Sequence, residues 1–134
     1  MSAYDDLMAF QRETEALSQV AGRLGWDQET MMPRDAAPQR GEEMAAMETV
    51  LHARRTDPRI ADWLAQAETS GEVEVAQVRQ IKRSYDRASK VPAKLASKIA
   101  RVTSEAQGAW AAAREADDFA AFAPVLKDVV SLKR

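Results

Sequence analysis

Residues 26–33, Trp-Asp-Gln-Glu-Thr-Met-Met-Pro, place an aromatic ring, two carboxylates and an amide within four positions. Carboxylates so placed can bind an arginine, accept from backbone N–H groups or move protons as general acids and bases. A solvated loop rarely spends a tryptophan, and a buried helix rarely spends Asp27 and Glu29 beside one. The apolar-periodic segment before them stops at Gly25, so Trp26, Asp27 and Glu29 are read as lying in a turn between helices, with a structural role before a catalytic one. Elsewhere, carboxylates occur as the adjacent pairs Asp5-Asp6, Glu42-Glu43 and Asp117-Asp118. Neighbouring acids on a helix point in different directions, and acids at helix starts complement the dipole, so these are read as caps and solvated faces.

The rest of the catalytic inventory is short. His52 is the one histidine, with Glu48 four residues before it, and there is no cysteine. A metal-binding helix of the His-Glu-x-x-His type needs two imidazoles one turn apart. A di-iron bundle needs two Glu-x-x-His motifs. Neither exists here, so no metal or cofactor is expected to bind this chain, and His52 is read as a surface or partly packed side chain near a helix end. No serine is paired with a base beyond chance, and the five glycines are scattered rather than gathered into a phosphate-binding loop.

The elements that must position these residues are helical almost throughout. Ala3, Leu7, Phe10, Thr14, Leu17, Ala21 and Leu24 alternate by four and three along one face of a long first helix, whose end Gly22 and Gly25 weaken. Pro38 suits the first turn of a second helix, with Met44, Met47 and Leu51 inward. Asp57-Pro58 reads as an N-cap and first-turn proline for a short third helix carrying Ile60, Trp63, Leu64 and Ala67. A fourth begins near Glu72, with Val75, Val78, Ile81 and Tyr85 on one side. Val91-Pro92 closes it and opens a fifth, along which Leu95, Ile99, Val102, Ala106, Ala109 and Ala113 form a seam of mostly small residues. Asp117 and Asp118 suit the cap of a last helix, Phe119 to Leu132, kinked or restarted by Pro124. Its apolar face, Phe122, Leu126, Val129 and Val130, is followed directly by Lys133-Arg134, as at a natural terminus or at a cut edge of a larger helical protein. No linker divides the chain. The expectation is one all-α unit, an antiparallel bundle of about five to six helices.

Composition agrees. With 134 residues, 46% hydrophobic and 6% aromatic, the chain is one domain in size and rich in the small residues of close helix packing. No apolar run approaches the roughly 18–20 residues of a membrane span. No signal peptide opens the chain, so a soluble, cytoplasmic protein is expected, with no membrane partner. The net charge of −2 is unevenly spread. Residues 1–50 carry ten acids and four bases, whereas residues 79–101 carry eight bases against Asp86 alone. Such a stripe is either a nucleic-acid footprint or a solvated face that pairs with acids elsewhere. It has no aromatic interleaving beyond Tyr85 and no DNA-reading motif, so no nucleic acid is expected to bind.

The stretch at residues 26–33 resembles the Trp-Asp-x-x-Thr-x-Met-Pro signature near the N-terminus of the carboxypeptidase Taq family of zinc metallocarboxypeptidases. Residues 83–92, Arg-Ser-Tyr-Asp-Arg-Ala-Ser-Lys-Val-Pro, resemble that family's Tyr-Asp-Arg-Ala-x-Lys-x-Pro segment, which adds Tyr85, Asp86 and Arg87 to Trp26, Asp27 and Glu29 as motif candidates of unassigned role. Ser104–Trp110, Ala113-Arg114 and Asp118–Pro124 resemble the stretch that follows. Order and spacing match from the first helix to the end.

The resemblance implies a parent enzyme much longer than this chain, cytoplasmic, helical and often homodimeric. Such an enzyme removes C-terminal amino acids from peptides with broad specificity. It implies zinc or cobalt, which would polarise the peptide carbonyl and activate a water, with the motif glutamate as base. The family's His-Glu-x-x-His helix, downstream glutamate ligand and substrate motifs lie C-terminal to the matched region, so no catalytic or metal residue carries over. The chain then resembles an N-terminal wall or lid of a substrate groove, inactive alone, with the rest of the parent polypeptide as its partner. The alternative is a standalone helical interaction module without enzymatic activity.

Overall fold

The computed structural model describes all 134 residues, in six α-helices with one short 3-10 turn and no strand. Helix α1 spans Ala3–Thr30, α2 Ala37–Arg55, α3 Pro58–Gln66, α4 Glu72–Ala88, α5 Ala93–Glu115 and α6 Phe119–Leu132; the 3-10 turn, Arg34–Ala36, leads into α2. The architecture is all-α, as the periodicity predicts.

Local chemistry starts the helices where the polar residues stand. Ser2 accepts from the Asp5 amide while the Asp5 carboxylate accepts from the Ser2 amide, a reciprocal capping box at the start of α1. Asp57 accepts from the Arg59 amide and so caps α3, with Pro58 at the first helical position. Asp118 accepts from the Ala121 amide to cap α6. Asp117, just before it, is the one non-glycine residue at positive φ, 53°. Aspartate is among the few side chains that take this left-handed conformation readily, and here it makes the α5–α6 corner.

Two packing zones hold the bundle. In the first, Leu7 and Phe10 of α1 meet Ile60 of α3, with Trp63, Leu64, Ile81 and Tyr85 packed around them. The Phe10 and Trp63 rings lie 5.5 Å apart and tilted, and the Arg54 guanidinium sits 4.0 Å over Phe10. Arg54 also donates to Thr14 Oγ1 at 2.9 Å and to the Phe10 carbonyl at 3.1 Å, which stitches α2 to α1. In the second zone α2 packs along α5, where Gly41, Ala45, Ala96, Ser104 and Ala106 are buried. A Cβ on Gly41 would stand 2.9 Å from the Glu105 carboxylate, so any side chain there would push the exposed Glu105 aside. Helix α6 packs mainly on α5 and buries none of its residues.

Several expectations need correction. Helix α1 does not stop at Gly25 but continues to Thr30, so Trp26, Asp27 and Glu29 are helical rather than in a turn. The buried face of α2 turns on Gly41, Ala45, Leu51 and His52, with Met44 and Met47 half-buried, because α5 approaches over the smallest side chains. Val75 is exposed. His52 is only 8% exposed, and its Nε2 contacts the Val91 carbonyl at 2.6 Å, which ties α2 to the α4–α5 junction. Helix α6 runs through Pro124 without restarting.

Candidate functional site at the α1–α5 junction

The last two turns of α1 gather the polar residues of the Trp26–Thr30 stretch against two other helices. The Asp27 carbonyl accepts from both the Met31 and Met32 amides at 2.9 Å, which ends the helix. The Thr30 hydroxyl donates to the Trp26 carbonyl at 2.7 Å. Pro33 then prevents a further turn, because a proline disfavours the α conformation in the residue before it.

Successive residues of the stretch point to different partners. The Asp27 carboxylate accepts from Arg40 Nη2 of α2 at 2.6 Å. Arg40 also donates through Nε to Glu43 at 2.7 Å and through Nη1 to the Leu24 carbonyl. Its side chain is 10% exposed, so a cation is held nearly out of water between two acids. The hydrogen bond to Asp27 raises the guanidinium's hold on its proton; burial opposes this, and the bond to Glu43 adds to it. Gln28 turns to α5, where its amide donates to the Ser104 carbonyl at 2.8 Å and accepts from the Ser104 hydroxyl at 3.0 Å. Glu29 accepts from Gln107 at 2.9 Å. Trp26 is 63% exposed and faces away.

Beside this junction opens a cleft of about 740 Å³, lined among others by Gln28, Glu29, Met32, Arg34, Gln107 and Trp110. Arg34 and Glu115 pair across the surface at 3.0 Å. The cleft offers amide donors and acceptors and an indole face. Chemically it can bind a group of mixed polarity, but it contains no nucleophile–base pair.

The second motif sits elsewhere. Tyr85 packs on the Leu7–Phe10–Ile60 cluster at the other end of α1. Asp86 pairs with Lys82 at 2.8 Å, and Arg87 is exposed and makes no ion pair. The structure therefore does not bring Tyr85, Asp86 and Arg87 together with Trp26, Asp27 and Glu29. Arg40 and Ser104, which receive Asp27 and Gln28, are not among the candidates that the sequence offers. An arginine three residues before a glutamate and a serine in an alanine-rich seam gave no local signal of that role.

No three or more His, Cys, Asp or Glu side chains are grouped so as to hold a metal ion. The single imidazole is turned to the Val91 carbonyl. The donor set of these 134 residues does not fit a catalytic zinc or cobalt ion.

A sequence model of the Carboxypeptidase Taq (M32) metallopeptidase family matches residues 6–134. Thermostable carboxypeptidase 1 of Thermus thermophilus is 40% identical over 139 aligned residues, which cover 99% of this chain and 27% of that protein. The protein of the same name from Pyrococcus furiosus is 28% identical, over 96% of this chain and 26% of its own length. The chain thus spans about a quarter of the length of the curated relatives it matches. It belongs to the carboxypeptidase Taq (M32) metallopeptidase family.

Proposed function

We propose that this chain is the N-terminal helical portion of a metal-dependent carboxypeptidase that removes C-terminal amino acids from peptides with broad specificity. In that parent it forms a wall or lid of the substrate groove and buttresses the catalytic helices. The chain alone is inactive. The zinc or cobalt is held by residues outside these 134, and the parent works in the cytoplasm as a homodimer. No helix here is long and apolar enough to cross a membrane.

Family membership supports the activity of the parent, and one structural observation carries the role of the segment. Helix α6 buries nothing, yet exposes Phe119 by 68% and leaves Leu126 and Val130 open beside it. A contiguous exposed apolar helix face of this kind marks a surface for another segment to cover. The remaining polypeptide of the parent is the occupant that the length of the relatives supplies. On this reading the Asp27–Arg40 and Gln28–Ser104 contacts are scaffold: they fix α1 against α2 and α5 and set the edge of the groove.

The test is a parent enzyme lacking residues 1–60, checked for helicity and assayed on short peptides and on a folded protein substrate. Loss of discrimination against the folded substrate is the expected result. Unchanged rates on both substrates would sink the lid assignment.

A further inference from the structure

We propose that the cationic face of α4 is a docking surface for an acidic helical face of another polypeptide. Arg79, Arg83 and Arg87 follow one another at every fourth position, so they stack as a ladder on one side of α4, about 12 Å long at about 1.5 Å per residue. All three are exposed, and none makes an ion pair within the chain. Asp86 is the one acid of residues 79–101, and the Lys82 ammonium takes it at 2.8 Å. Like charges at this spacing repel and weaken the helix that carries them. The arrangement is matched when carboxylates from a facing surface stand at the same repeat.

The other polyanions fit less well. A single-stranded nucleic acid needs aromatic rings on which bases stack, and Tyr85, the only aromatic of this segment, is packed against Leu7, Phe10 and Ile60. A lipid surface needs an apolar flank along the basic stripe; Ile81 and Tyr85 are committed to the core, and the exposed Val73 and Val75 are two short side chains at the N-terminal end of α4, away from Arg83 and Arg87. What remains around Arg83 and Arg87 is charge at helical spacing. A helix with glutamates at every fourth residue presents the complementary ladder. This inference does not depend on the peptidase reading.

The experiment titrates the 15N-labelled 134-residue chain with a synthetic helical peptide carrying glutamate at every fourth position, and with the same peptide carrying glutamine instead. Expected are amide shifts confined to α4 and its neighbours, an affinity that falls with salt, and at least a tenfold loss in R83E/R87E. R23E, on exposed α1 surface, should leave the affinity unchanged. R83Q/R87Q, which removes the charge without reversing it, guards against a misfolded variant and should also lose binding. Equal binding of the glutamine peptide, or no shift in α4, would overturn the proposal. So would tighter binding, at the same salt, of a short DNA duplex or of phosphatidylserine vesicles.

Discussion

Replacing Arg40 by alanine tests the junction that ends α1. The guanidinium holds the Asp27 carboxylate at 2.6 Å, Glu43 at 2.7 Å and the Leu24 carbonyl, with its own side chain only 10% exposed. Removing one partner of a fully buried ion pair costs about 3–5 kcal/mol. That figure is too large here, because the side chains of Asp27 and Glu43 are 40% and 38% exposed and water can solvate them. The Leu24 carbonyl keeps its helical partner inside α1, so losing the second donor costs about 0.5 kcal/mol, and the two discounted charge-assisted bonds together cost about 1–2 kcal/mol. The sum is about 1.5–2.5 kcal/mol, or a Tm lowered by about 5–9 °C in a chain of this size. Urea and thermal unfolding followed by circular dichroism give both numbers. R40K keeps the charge but not the fork of donors, and should recover less than half of the loss. A double-mutant cycle with D27N should show about 1 kcal/mol of coupling. If R40A lies within about 0.5 kcal/mol of the parent sequence, or R40K matches it, the junction does not hold α1 in place.

Other predictions concern single positions. Gly22 lies in the middle of α1 with open space where a Cβ would stand, so G22A should stabilise by about 0.5–1 kcal/mol. G41A should gain less or lose, since its Cβ would press on Glu105; paired thermal melts compare the two. D57A removes the cap of α3 and should cost about 1 kcal/mol in urea titration. Both Asp57 and Asp5 are held below the ordinary carboxylate value of 3.8, the first chiefly by the Arg59 guanidinium and the second by the Ser2 hydroxyl. A depressed folded-state value contributes stability above the unfolded value and loses it as pH falls through the folded one. Stability from these two groups should therefore be level between pH 7 and 5 and fall below about pH 4, with a shallower fall in D5N/D57N. H52L leaves the Val91 carbonyl without its imidazole partner and should cost about 1–2 kcal/mol; a change under about 0.5 would deny the contact a role.

The helix starts were legible because their signals are local. Asp57-Pro58, Val91-Pro92 and Asp118 carry their caps and stops within a few residues, and the structure places α3, α5 and α6 at those points. The end of α1 was not legible, because what carries it past Gly25 is non-local. Asp27 is held by an arginine 13 residues on, Gln28 by a serine 76 residues on, and Glu29 by a glutamine 78 residues on. The α2 face was misjudged for a related reason: hydrophobicity points to Met44 and Met47, but helices approach over Gly41 and Ala45. His52 shows the same limit, since nothing near it in sequence announces that the Val91 carbonyl will meet it. Resemblance singled out Trp26–Glu29 and Tyr85–Arg87 as stretches of interest without saying what each side chain touches.

On the proposed reading this chain is a helical portion of a carboxypeptidase whose chemistry lies in other residues. The deciding measurement is release of C-terminal amino acids from a blocked peptide, with zinc or cobalt supplied. The isolated 134-residue chain is compared with the native product purified from source cells by an antibody to it. Expected is release by a native product several-fold larger than 14.8 kDa and none by the isolated chain. Release by the isolated chain, or a native product of the chain's own size that releases nothing, would contradict it.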